Sequence, residues 1–342
     1  MHTRVCLLLL FVCGLSVNAD EKPFVSADPT VVDADFPFQG EYAGLILPAD
    51  AKCQIYRRVG VQVVALGKGR FSGVYYDYGL PGAGWNQSQK ARLTGGREGE
   101  VVTLTGDGLQ ATIENGHLLL STDAGMKLGS FPRVVRKSPT LGQAPPANAI
   151  VLFDGSSPDA FHNGRMTDDG LLKEGADFKQ TFNDFQLHVE FRLPYMPEAR
   201  GQKRGNSGIY LQSRYEVQVL DSFGLDGVFN ECGALYRYQP PNINMCLPPL
   251  QWQTYDITFR SPRFDAEGQK TSNARLTVRH NGVLVHDDFN VERKTGAGRP
   301  ESTDPYPTRL QNHSDPVRFR NIWLVDLNPA ATRAMEQGVA AR

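Results

Sequence analysis

The chain has 342 residues, with 36 Lys plus Arg against 37 Asp plus Glu and 40% of its residues apolar. That balance excludes a disordered chain, a nucleic-acid coat and a many-pass membrane protein. It leaves a folded protein whose partners are not selected by net charge.

At the N-terminus, Met1 to Arg4 precede an apolar run from Val5 to Val17, and Val17-Asn18-Ala19 stand ahead of Asp20. A basic start, a short apolar stretch and a small residue before the cut are the parts of a secretory signal, so residues 1–19 are expected to be removed and the protein exported to the periplasm or beyond. The run is shorter than the ~20 residues a membrane span needs, and no transmembrane anchor is expected. Cys6 and Cys13 leave with the signal. Of the remaining three, Cys232 and Cys246 flank a segment containing Pro240-Pro241, and in an oxidising compartment a disulfide between them is expected, with Cys53 left as a buried thiol.

Residues 20–137 read as a smaller β-rich domain. The segments 60–66, 70–76, 100–105, 109–113 and 117–120 are short and β-like, and several are separated by Gly-Lys-Gly, Gly-Asp-Gly or Asn-Gly steps that suit tight hairpins. Gly79 to Trp85 lacks the Lys-Ser/Thr step of a phosphate-binding loop and is read as a surface loop. Residues 138–148, rich in Pro, Gly and small side chains, read as a linker.

From 149 to 327 strands follow one another with almost no helical period. In 185–193, Phe185, Leu187, Val189, Phe191 and Leu193 alternate with Gln186, His188, Glu190 and Arg192. Asn281-Gly282 predicts a tight hairpin, a last strand covers 317–325, and 328–342 reads as a loosely held tail. Such a succession suits a two-sheet sandwich, most simply a jelly roll.

The polar residues on these strands are of a particular kind. Glu190, Arg192, Tyr210, Gln212, Glu216, Gln218 and Asp221 supply carboxylates, amides, a guanidinium and a ring, the mixture that grips sugar hydroxyls and supports an apolar sugar face. Glu231 lies on a loop beside Cys232, and His313 lies at the entrance to the last strand, which carries Arg320. The plainer readings are an exposed Glu190–Arg192 ion pair and surface positions for His188 and His280. No zinc-protease, nucleophile-elbow, EF-hand or dinucleotide motif occurs.

Taken as an ordered series, the segments Ile150-Val151-Leu152-Phe153-Asp154-Gly155, 183–193, Gly205-Asn206-Ser207-Gly208-Ile209-Tyr210-Leu211, Tyr215-Glu216-Val217-Gln218-Val219-Leu220-Asp221, Trp252-Gln253-Thr254-Tyr255-Asp256 and Phe319-Arg320-Asn321-Ile322 resemble the 3-keto-disaccharide hydrolase family, also described as 3-keto-glucoside lyases and hydratases. The resemblance implies a concanavalin- or laminin-G-like jelly roll acting on glycosides already oxidised at C3, with a site among Glu190, Glu216, Gln218, Asp221, Glu231, His313 and Arg320. A C3 ketone acidifies the C2 proton. Chemistry therefore asks for a base over C2, an acid at the glycosidic oxygen and a charge-stabilising group at O3. Glu231 and His313 are expected to share the first two roles and Arg320 to take the third. No cofactor is required by these residues. A divalent ion could replace Arg320, and no ligand spacing diagnostic of one is present. The expected partner is a glycoside or oligosaccharide and not a nucleic acid. The alternative is a non-catalytic carbohydrate-binding or extracellular scaffold module, to which the 20–137 region would contribute support or polymer contact.

Overall fold

The computed structural model describes residues 22–47 and 56–328. The signal segment, Cys53 and the tail beyond residue 328 lie outside the described residues. Secondary structure is strand throughout, apart from two short 3-10 turns, Phe36–Phe38 and Gly201–Lys203.

The first half is a closed barrel of eight antiparallel strands in meander order: β1 (Gly40–Ile46), β2 (Arg57–Gly67), β3 (Arg70–Asp77), β4 (Lys90–Glu98), β5 (Val101–Gly106), β6 (Leu109–Glu114), β7 (His117–Thr122) and β8 (Lys127–Val134). β8 returns to β1 through the pairs Glu41↔Val134 and Tyr42↔Arg133, which removes both sheet edges. The period-2 pattern explains the interior: Val59, Val61 and Val63 of β2 join Tyr42, Phe71, Leu93, Val102, Leu104 and Phe131 in one apolar cluster. β1, β4 and β8 have weak apolar alternation because glycine replaces side chains where strands crowd. A Cβ on Gly95 would collide with Thr103 O, and one on Gly44 would collide with the Phe131 side chain.

The second half is built from two sheets around a second apolar cluster. The five-stranded sheet runs in the order Phe161–His162, Ala176–Phe178, Arg309–Leu310, Ser207–Leu211 and Tyr215–Val219. The larger sheet has the path Leu172–Lys173, Arg318–Asp326, Phe185–Arg192, Trp252–Arg260, Ala274–His280 and Val283–Val291, with Ile150–Phe153 also paired to Arg318–Asp326. Leu187, Val189 and Phe191 from the larger sheet and Ile209, Leu211, Val217 and Val219 from the smaller one belong to the same core. Each such buried side chain contributes roughly 1.5–3 kcal/mol. The Asn281-Gly282 turn is as expected: φ is +50° and +79°, and His280 pairs with Val283 across it.

The halves are packed together. Tyr195 enters the barrel's apolar cluster, donates to Asp33 Oδ1 at 2.9 Å and meets Phe24 and Phe36 edge-on. Residues 138–143 lie against the larger sheet: Thr140 Oγ1 donates to Asp256 Oδ2 at 2.7 Å, Gly142 N donates to Glu190 Oε1, and Gln143 O accepts from Asn321 Nδ2 at 3.0 Å. This strap covers the polar face of Phe185–Arg192, so His188 and Glu190 are buried rather than exposed to water. His280, also expected at the surface, is fully buried, and burial lowers its pKa to about 3.

The expected Cys232–Cys246 disulfide is corrected. Both cysteines are buried and both are free thiols. The segment between them is already well fastened: the Asn244 amide donates to Ser222 O and Leu225 O, Leu235 pairs with Gln239, and the Asn281 amide donates to Met245 O. Cys232 Sγ lies 3.2 Å from the Tyr255 hydroxyl.

Candidate active site

The hairpin Ser207–Leu211/Tyr215–Val219 sets Gly208 opposite Gln218 and Tyr210 opposite Glu216. Ile209, Val217 and Val219 are spent on the core, so the intervening Tyr210, Glu216 and Gln218 occupy the other face. Gly208 makes room there, since a Cβ at this position would collide with Glu216 Oε1. These residues line a cavity of about 350 Å³ together with Gln202 and Asn206 before the hairpin, Gln311 and His313 beside it, and Tyr236, Arg237 and Gly296 from two covering loops.

Glu216 is the chemically distinctive group. It is 2% exposed, and burial pushes its pKa up to about 7, although the Tyr210 hydroxyl bond works in the opposite direction. Tyr210 is itself held protonated, because burial and the Glu216 charge raise its pKa. The Gln218 amide, in the orientation that matches its neighbours, donates to Glu216 Oε1 at 3.0 Å and to Ser207 O at 3.1 Å. Glu216 Oε2 and Gln311 Oε1 have no hydrogen-bond partner among the described residues, although both are shielded from solvent. The site therefore has a carboxyl that titrates near neutrality, two unmatched polar atoms and an exposed imidazole, His313, at its rim. Its segment is held by Gln311 N donating to Gly208 O at 2.8 Å.

The residues expected from sequence divide between this cavity and other places. Tyr210, Glu216, Gln218 and His313 line it. Glu231 does not: its carboxylate accepts from Gly227 N at 2.6 Å and Val228 N at 3.1 Å and so ties its own loop. Arg320 belongs to the larger sheet, where its Nε donates to Glu190 Oε2 at 2.7 Å and its guanidinium lies 4.1 Å from the Trp252 ring centre. Glu190 is fully buried. Burial would raise its pKa, but bonds from His188, Asn321, Arg320 and Gly142 N bring it to about 2. Arg192 shares the Trp252 ring and donates to Ala27 O at 2.9 Å. Gln212 bridges Phe182 O and Arg214, and Asp221 pairs with Arg204 at 2.6 Å. The anticipated trio of Glu231, His313 and Arg320 thus does not share one cavity.

Gln202, Asn206, Tyr236, Arg237 and Gln311 were missed. Asn206 and Gln311 adjoin recognisable strand segments and could have been reached by extending the alternation, whereas Tyr236 and Arg237 come from a turn without periodicity. Among the described residues, no group of three or more His, Cys, Asp or Glu side chains is arranged to hold a metal ion.

Residues 148–325 match the family described as the 3-keto-alpha-glucoside-1,2-lyase-like domain. Among solved structures, a "putative glycosyl hydrolase" from Parabacteroides distasonis is similar at 32% identity with a TM-score of 0.50, covering 57% of this chain and 92% of its own. A second protein of that description and organism has 15% identity and a TM-score of 0.39, covering 53% and 94%. No curated protein matches the chain.

Proposed function

Because the chain belongs to the 3-keto-alpha-glucoside-1,2-lyase-like family, a family of carbohydrate-active enzymes, we propose that its cavity cleaves 3-keto-glucosides by elimination and hydration, with Glu216 as the proton acceptor. The observation that carries this reading is the buried Glu216 carboxyl, whose pKa of about 7 lets it accept and return a proton near neutral pH. A module that only bound sugar would gain nothing from so costly a carboxylate.

In the proposed reaction the C3 ketone makes the C2 proton acidic. Glu216 takes that proton, and the electron pair forms the C1–C2 double bond as the C1 oxygen substituent leaves. His313, at the rim, supplies the proton for the departing oxygen. Water then adds at C1, giving its proton back to His313, while the Glu216 proton returns to C2, and the net result is hydrolysis. Gln311 Oε1 is an acceptor for a sugar hydroxyl.

This assignment moves the base from the Glu231 and His313 pair to Glu216, leaves His313 as the acid and frees Arg320 from the reaction. The two sheets of residues 149–327 are read as a concanavalin-like jelly roll and the barrel as its support. The apolar run before Ala19 supports a place outside the cytoplasm. The test is to incubate the protein with a 3-keto-glucoside and with the same glucoside unoxidised. Aglycone released from the first alone is expected; release from neither would refute the reading.

A further inference from the structure

The cavity's volume of about 350 Å³ lies at the low end of the roughly 300–1,000 Å³ of ligand clefts, which suits one sugar ring and leaves the rest of a glycoside on the rim. Next to that rim is a loop of unusual character. Leu225, Val228 and Phe229 are 38%, 43% and 48% exposed, three large apolar side chains within five residues. A loop so apolar would be expected to collapse or move, yet this one is pinned on every side. Glu231 holds the amides of Gly227 and Val228, Lys90 binds Asp226 at 2.7 Å, and the Asn244 amide donates to Leu225 O at 3.1 Å. Two further bonds tie it to the cavity lining itself: Arg237 N donates to Phe229 O at 2.8 Å, and Gln202 Nε2 donates to Asn230 O at 2.8 Å.

We infer that residues 225–229 form the aglycone platform of this enzyme and that its substrates carry a flat apolar aglycone, an aromatic ring in the first instance. The inference rests on the proposed reaction and adds the leaving group to it. A pre-ordered apolar surface tied to the lining of a one-sugar cavity through Arg237 and Gln202 loses little entropy on binding and gains the burial of its exposed side chains. Tyr236 and Arg237, which line the cavity where the loop joins it, add a ring and a cation suited to a π-face. A sugar leaving group, with hydroxyls on all edges, would leave this surface poorly matched. Glu231 gains a role here as a positioning residue, holding the platform without touching the reacting atoms.

The test compares kcat/KM on two substrates, 4-nitrophenyl 3-keto-glucoside and a 3-keto-disaccharide, for the wild type and for Phe229→Ser. The wild type is expected to prefer the aryl substrate. Phe229→Ser should lower the aryl-to-disaccharide ratio by about ten-fold, through KM rather than kcat, as loss of a buried aromatic contact implies. Because Phe229 is half exposed, the variant should keep the wild-type melting temperature. A Glu231→Gln variant should lower the same ratio in the same direction. If the ratio stays within about two-fold in Phe229→Ser while the wild type turns over both substrates, the platform is refuted and the reaction stands. If the wild type turns over neither, the reaction is refuted and the platform with it. If sedimentation shows a dimer that Phe229→Ser dissolves, the surface serves a second copy of the chain instead.

Discussion

Glu216 combines two properties that seldom coexist without function: burial that raises its pKa to about 7, and an oxygen left without a partner. Replacing it by Gln keeps the shape and the hydrogen bonds while removing the proton acceptor, so turnover should fall by about 10² to 10⁴ with little change in melting temperature. Gly208→Ala tests the same site by crowding. Its methyl group would press on Glu216 Oε1, and activity should drop at least about ten-fold while the protein stays folded. Arg320→Ala has the opposite signature. It removes one of several partners of a buried carboxylate remote from the proposed chemistry, so stability should fall by about 1–3 kcal/mol in urea denaturation with kcat retained. At this scale the residue types were legible and their grouping was not. Tyr210, Glu216, Gln218 and His313 were all readable as candidates from their strands, but Arg320 and Glu190 have the same chemistry and sit on the other sheet. Sequence alternation says which residues share a face, not which face the loops enclose.

Among the elements, the strap at 138–143 is the least expected, having been read as a linker because it has no periodicity. It closes over a chain of charged groups in which His188 Nδ1 lies 2.6 Å from Asp256 and its Nε2 lies 3.6 Å from Glu190, with the ring stacked on Trp323. Burial alone would lower the His188 pKa, but its bonds to Asp256 and Glu190 and their charges raise it above the ordinary histidine value. A group raised in the folded state contributes fully below its unfolded pKa of about 6.5, and the contribution is lost as pH rises through the folded value. Resistance to urea should therefore decline above neutrality, and His188→Asn should be less stable at acidic pH and show a flatter profile. A wild-type profile that rises across the same window would contradict this account of the strap. Glycine hid other elements. β4 carries Gly95 and Gly96 and buries only Leu93, and β8 is interrupted by Gly129 and Pro132, so neither shows the alternation that made β2 and β3 readable. Both are nevertheless fixed by neighbours on either side.

For the whole molecule, the all-β character follows from composition and turn chemistry. Closure of the first half into a barrel does not, because it depends on the pairing of β1 with β8 across about ninety residues, which no local pattern encodes. The expected disulfide is not formed although the Cys232 and Cys246 side chains lie against each other, and the loop that proline marked as unsupported is held by side-chain amides from other elements. The barrel packs against the same loop that carries the proposed platform, through Lys90 and Arg92 on Asp226. It thereby holds the rim of the site, while the 138–143 strap covers the larger sheet.

The central claim is that Glu216 acts as the base on a C3-oxidised glucoside. The measurement that tests it most directly is the pH dependence of kcat/KM on a 3-keto-glucoside for the wild type and Glu216→Gln. The base must be ionised to act, so the low-pH limb of the wild-type kcat/KM profile should rise with an apparent pKa near 7, and the residual rate of Glu216→Gln should lack that limb. A Glu216→Gln enzyme that keeps both the wild-type rate and the limb would contradict the account.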